Sequence, residues 1–234
     1  MKNQYVGDVN DYLKYAYLRA LQRARRGSLL VCWMLTPPDK RRDGNKLGYL
    51  DQSVRFRPVD PELFDGLQTL VQEGRRSVVD VQELRLLRRA SFHSDYLRDD
   101  LEPRSAYFER LVSRVKPGAL VFFDPDNGLE IASRRKGRRD SAKYLYWDEM
   151  VATVSPAVSA VIYQHCPREN RRSFSQRMVG AVQERLLTHR VFALCSSHVL
   201  YLVAATRGEY TPLRQGSAEF ASRWPSTLVL HGSS

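Results

Sequence analysis

Apolar runs along this chain are short, and several stop abruptly in polar or charged residues. Residues 28–36 (Ser-Leu-Leu-Val-Cys-Trp-Met-Leu-Thr) carry no charge and end at Pro37-Pro38. A continuous apolar run closed by prolines, which cannot extend a ladder, predicts a buried strand. Residues 119–123 (Ala-Leu-Val-Phe-Phe) and 159–163 (Ser-Ala-Val-Ile-Tyr) predict two more, and residues 77–81 (Ser-Val-Val-Asp-Val) a further short one. Two final strands, 190–195 and 198–206, are separated by Ser196-Ser197, a hairpin signal.

Helical spacing fills the gaps. In residues 7–26, Asp8 or Asn10 can cap a helix that puts Tyr12, Ala16 and Ala20 on one face. Asp60-Pro61 opens another, carrying Leu63, Phe64, Leu67, Leu70 and Val71 before Gly74. Ser105 can cap a third, with Tyr107, Phe108, Leu111, Val112 and Val115, stopped by Lys116-Pro117-Gly118. Residues 143–154 and 170–187 predict two more, the second with Phe174, Met178, Ala181, Val182 and Leu186 on one side. Residues 83–102, with His93 isolated among charges, and the Pro/Ser/Gly-rich tail after about residue 208 predict irregular segments. Strands separated by helices predict βαβ crossovers. The expectation is a single α/β domain over residues 1–234, three-layered, with a largely parallel central sheet and an antiparallel edge at the C-terminal end.

Charge adds a partner to this picture. Lys and Arg number 37 against 26 Asp and Glu, a net charge of +11, rich in arginine, whose planar fork suits phosphate. A polyanion is the expected partner. The basic residues are scattered over several loops, which argues against a membrane-surface helix. No apolar run approaches the ~18 residues that cross a bilayer. Met1-Lys2-Asn3-Gln4-Tyr5 has no apolar signal segment, so a cytoplasmic location is expected, with no membrane and no obligate protein partner. Cys32, Cys166 and Cys195 lack metal-ligand spacing and read as reduced, structural thiols.

Candidate chemistry lies where the strands end. Residues 119–123 break into Asp124-Pro125-Asp126-Asn127-Gly128-Leu129-Glu130, and residues 159–163 into Gln164-His165-Cys166-Pro167-Arg168. A third strand end, Thr36-Pro37-Pro38-Asp39, can lie beside them. The prolines turn the chain away and aim the neighbouring polar groups into one crevice, the usual place for chemistry in an open α/β sheet. Basic loops flank these ends. Arg134, Arg135, Lys136, Arg138 and Arg139 form one, and Lys40, Arg41 and Arg42 another; both are expected to hold DNA phosphates. Lys14, between aromatics and followed by Tyr15, has the composition of a nucleic-acid contact.

Three reactions compete for these residues. N-glycosidic cleavage needs a carboxylate to stabilise an oxocarbenium-like sugar and orient water, an amide to read a base edge, and a donor for the departing base. Asp124 or Asp126, Asn127 and His165 supply that set without a metal or cofactor. Metal-dependent phosphodiester cleavage would use Asp124, Asp126 and Glu130. Amino-group methylation fits poorly, because Asp124-Pro125 is followed by an acid and an amide and no glycine-rich turn is placed to hold a methyl donor. Ordinary structure explains part of the pattern: Asp126-Asn127-Gly128 makes a good turn, and Asp8 a helix cap. A non-enzymatic nucleic-acid binder with turn acids is the remaining alternative.

Four blocks together resemble a widespread bacterial family: residues 7–15 (Gly-Asp-Val-Asn-Asp-Tyr-Leu-Lys-Tyr), 43–50 (Asp-Gly-Asn-Lys-Leu-Gly-Tyr-Leu), 122–130 (Phe-Phe-Asp-Pro-Asp-Asn-Gly-Leu-Glu) and 163–168 (Tyr-Gln-His-Cys-Pro-Arg). The family that the chain resembles includes anti-phage DNA glycosylases which excise glucosylated hydroxymethylcytosine and are distantly similar to the uracil-DNA glycosylase superfamily. Asp124-Pro125 and His165-Cys166-Pro167 match, in order, that superfamily's water-orienting motif and His-containing loop. Two departures stand out: Phe122-Phe123 where a glycine precedes the first pair, and Cys166 inserted where the loop usually reads His-Pro-Ser. The resemblance implies a base-flipping DNA N-glycosylase acting on double-stranded, modified phage DNA and leaving an abasic site. Asp124, Asp126, Asn127 and His165 would be catalytic, and Lys14, Tyr15, Asp43, Asn45, Gln164 and Arg168 would bind substrate.

Overall fold

The structure is a computed structural model and describes residues 1–38 and 44–232. Asp8 caps α1 (Val9–Ala24) by accepting from the backbone N–H groups of Asn10 and Asp11. The apolar run after it forms β1 (Leu29–Cys32). Then come α2 (Ser53–Phe56), α3 (Pro61–Gln72), α4 (Val78–Glu83), β2 (Ala90–His93) and α5 (Leu101–Arg114). β3 (Leu120–Phe123) leads into a small pair, β4 (Gly128–Leu129) and β5 (Tyr144–Leu145), followed by α6 (Trp147–Thr153). The chain continues through β6 (Ser159–His165), α7 (Arg171–Arg185), the hairpin of β7 (Arg190–Cys195) and β8 (Val199–Ala205), α8 (Tyr210–Arg223) and β9 (Val229–Gly232).

Seven strands make the main sheet in the order β2-β1-β3-β6-β8-β7-β9. The first four are parallel and the last three pairings antiparallel, the mixed sheet that the sequence predicts. Strand alternation sorts the core into two layers. Leu29, Val31, Leu120, Phe122 and Val161 pack with α1, α3 and α8 on one face. Leu30, Cys32, Val121, Phe123 and Ile162 pack with α5, α6 and α7 on the other. From β1 the chain steps outward to β2 and returns to β3 on β1's other side, so strand order reverses between β1 and β3. A crevice opens there at the strands' carboxyl ends.

Five expectations need correction, four of them within residues 77–154. Residues 77–81 are not a strand but the start of α4. Ser77 and Asp80 exchange side-chain and backbone hydrogen bonds in a capping box, and this local closure overrides the β-propensity of the valines. Residues 83–102 are not wholly irregular: Ala90–His93 pairs with β1 as an edge strand, and His93 is buried with its ring 4.2 Å from that of Tyr107. The helix expected to start at Ser105 begins at Leu101, since Pro103 falls in the first turn, where its missing N–H costs no bond. Of residues 143–154, 144–145 form β5 and only Trp147–Thr153 are α-helical.

The tail after residue 208 is also ordered, as α8 and β9. Its Pro, Gly and Ser residues have specific places. Pro212 lies in the first turn of α8. Gly216 lets the helix approach α1, where a Cβ would fall 2.6 Å from that of Ala24. Ser217 shares a 2.7 Å hydrogen bond with the Tyr17 hydroxyl.

Candidate active site

The carboxyl ends of β3 and β6 meet the first turns of α1 around a cavity of about 160 Å³. Four carboxylates line it: Asp8 and Asp11 from α1, and Asp124 and Asp126 from the loop after β3. Helical spacing explains α1's share. Asp11, Lys14 and Tyr15 stand three and four residues apart and therefore on one side of the helix. Tyr15 donates from its hydroxyl to Asp11 Oδ2 at 2.9 Å, while Lys14 Nζ bonds Asp11 Oδ1 at 2.8 Å and Asp124 Oδ2 at 2.9 Å.

This pairing changes the meaning of Lys14 and Tyr15. Lys14 is 3% exposed and forms part of the cavity wall as the counter-ion of two acids. Tyr15 is fully buried behind Asp11 and offers no open face to a base. Burial alone would strip the Lys14 proton, but Asp11 and Asp124 raise its pKa above the ordinary value, so it stays an ammonium. Burial pushes Asp11 up to about 7, with Lys14 opposing the shift.

Asp126 has a different set of partners. Its Oδ2 accepts from Thr36 Oγ1 at 2.7 Å, and its Oδ1 lies 2.6 Å from the α-amino group of Met1. That ion pair lies outside hydrogen-bonding directions; the amine donates instead to the carbonyls of Asp124 and Met34, at 2.9 and 3.2 Å. Burial would raise the Asp126 pKa, yet the amine, Thr36 and Lys2 outweigh it and hold the carboxyl below its ordinary range. Asp126 is thus a fixed carboxylate.

β6 brings His165 to the rim. Its Nε2 lies 3.3 Å from the Tyr163 hydroxyl, and desolvation of the ring in the cleft, with the Lys14 charge, lowers its pKa below the usual imidazole value. The ring is neutral near pH 7. Asp126 and His165 also border a second, polar pocket of about 420 Å³, which Asn127, Arg134 and Lys143 help to line. Gln164 has a supporting place: its Oε1 accepts from Leu129 N–H at 2.8 Å and its Nε2 donates to the carbonyls of Asn127 and His165. Gly128, at φ +122°, lies so close that a Cβ would enter the Gln164 carboxamide. Gln164 therefore buckles the acid loop to β6 and lines neither cavity.

The remaining candidates separate. Asn45 is exposed and accepts from Arg76 Nη1 at 2.7 Å, whereas Lys46 lines the cavity. Arg168, Arg135, Arg138 and Arg139 are exposed. Lys136 is turned against Asp148 and the Tyr146 ring, so it is engaged within the fold. Lys40, Arg41, Arg42 and Asp43 lie outside the described residues. Glu130 accepts from Trp147 N–H at 3.0 Å and lines neither cavity, so Asp124, Asp126 and Glu130 do not converge. Among the described residues, no group of three His, Cys, Asp or Glu side chains is arranged to hold a metal ion.

Sequence reading passed over Asp11, Tyr163 and the Met1 amine. The spacing of Asp11 and Lys14 on a helix was a usable signal for the first. Tyr163, last of an apolar run, looked like core, and nothing local in the sequence marks the amine. A larger groove of about 710 Å³ between α5 and α6 lies away from these strand ends, and two of its three acids, Asp148 and Glu149, are bound to Lys136 and Arg104. Compared with protein-family models and with curated proteins, the chain matches none.

Proposed function

We propose that the protein is a DNA N-glycosylase that flips out a modified cytosine and hydrolyses its glycosidic bond. The carrying observation is four carboxylates gathered in one cavity, offset there by Lys14, Lys46 and the Met1 amine, with further cations bordering the neighbouring pocket. A phosphate brought beside Asp124 and Asp126 would compete with their carboxylates for Lys14 and the Met1 amine, which already pair with them. A sugar acquiring positive charge at C1′ would be stabilised in the same place. The phosphates fit outside, on the arginines.

In this reading Asp126 is the fixed anion beneath the sugar, and Asp124, held by Lys14, orients the attacking water. Water oxygen bonds to C1′ as the C1′–N bond breaks. The electron pair leaves with the base; the water gives up one proton to Asp124, the base gains one in exchange so that the net change is hydrolysis, and neutral His165 donates a hydrogen bond to the base. Asn127 contacts the base edge. The resemblance set out above supports a glucosylated hydroxymethylcytosine in phage DNA as substrate, and a role in anti-phage defence.

The test is alkali sensitivity. Modified phage DNA treated with the protein in EDTA should break only after hot alkali, and Asp126→Asn should abolish those breaks while binding DNA as before. Direct breaks that require Mg²⁺ would point to a nuclease. Intact DNA that is merely retarded in a gel would point to a binder.

A further inference from the structure

Arg171 and Arg172 occupy the first two positions of α7, where the helix dipole is already positive. The first turn contains no acid to offset them. A cation there opposes the helix dipole, so stability does not account for them. The nearest acid, Glu169, is bound to Arg177 through two hydrogen bonds of 2.7 and 3.0 Å. Arg168, Arg171 and Arg172 are exposed, and no carboxylate lies within 4.0 Å of them among the described residues.

Two further segments bring Lys46 and the His198 ring to the same place. Cys166 N–H donates to the His198 carbonyl at 3.0 Å, which sets the exit of β6 beside the start of β8. Lys46, tied to α1 by a 3.1 Å bond from Val9 N–H to its carbonyl, lines the acid cavity. The charges of Lys46 and Arg171 both act on the exposed His198 ring, with desolvation, to lower its pKa. Asp126 and His165 form the wall shared by the two pockets, with Lys46 on the smaller one and Arg134 on the larger.

We propose that Lys46, Arg168, Arg171, Arg172 and His198 form a second phosphate-holding rim, so that a DNA backbone passing over the shared wall is gripped on both flanks. The proposal rests on the glycosylase reading for its partner, DNA, and adds the path the strand takes. A helix start bearing unpaired arginines is suited to an oxyanion, because the backbone N–H groups and the side chains act in the same direction.

The test is duplex binding by the full chain, followed by fluorescence anisotropy over a NaCl series. Arg171→Glu/Arg172→Glu is compared with Arg135→Glu/Arg138→Glu and with the unsubstituted protein, using a fluorescein-labelled duplex. Glutamates suit the first turn of a helix, so the first variant should melt no lower than the parent. Each variant is expected to bind at least about tenfold more weakly at moderate salt, with the slope of log K against log[salt] reduced by about 2. If only the 135/138 variant weakens, the α7 rim is overturned and the glycosylase reading stands. If the parent itself does not bind DNA, both fall.

Discussion

Lys14 serves two carboxylates with one ammonium, and its loss should be felt more than that of any exposed charge. Lys14→Met would leave Asp11 and Asp124 buried without their cation, and removing one partner of a buried pair costs ~3–5 kcal/mol. Chemical denaturation should show that loss, whereas Arg135→Ala should change stability by less than ~0.5 kcal/mol. Asp11 makes a pH prediction. Its folded pKa of about 7 stands above its ordinary value of 3.8. As pH rises between those values, the unfolded chain releases this proton first, so the group's contribution lowers stability until the folded pKa is passed. Asp11→Asn should therefore flatten the stability profile between about pH 4 and 7, measured by denaturant midpoints across that range. An unchanged slope would place the titration elsewhere. Asp126 acts in the opposite sense: its lowered pKa stabilises the fold above the ordinary carboxylate range, and the contribution is lost as pH falls through the folded value.

The elements that build the site were the most legible part of the chain. Apolar runs closed by Asp124-Pro125 and Cys166-Pro167 mark β3 and β6, because a strand buried on both faces needs an unbroken run and its carboxyl end needs polar groups. Asp8 and Asp60 each cap the helix their position predicts, and Asn170, the first residue of the helix expected over 170–187, is its cap. Elements whose evidence lies in tertiary contact were hidden. β2 is an edge strand with half-exposed residues, and α8 looks like a loop until its glycine and serine meet α1. The charge partners of Asp124 and Asp126 were hidden for the same reason, since Lys14 is 110 residues away and the Met1 amine comes from the chain's first residue. Gly128 tests the joint between elements: Gly128→Ala forces a positive φ on a β-carbon and pushes Gln164 aside. It should cost at least ~1–3 kcal/mol by denaturation, and it should detach the acid loop from β6.

Across the whole molecule, the charge excess of +11 is unevenly used. Arg19, Arg25 and Arg104 are spent on internal ion pairs, Arg104 binding Glu149 and the carbonyls of Ser141 and Tyr144 to fix the segment after the basic loop. Arg134, Arg168, Arg171 and Arg172 have no such duty and lie about the strand ends that carry the acids. Among the described residues, no helix is long and apolar enough to cross a membrane. Fold and charge thus converge on the carboxyl ends of the strands, with four carboxylates beside Lys14 and Lys46 in the cavity and further cations at the neighbouring pocket. Isotope transfer shows directly which bond is cut. Modified phage DNA should be treated with the protein in H₂¹⁸O and EDTA, and the products analysed by mass spectrometry. The account predicts ¹⁸O on C1′ of an abasic deoxyribose, together with an unlabelled free base. Label in a phosphate group, or release of the base without any label in the sugar after immediate reductive trapping, would contradict it.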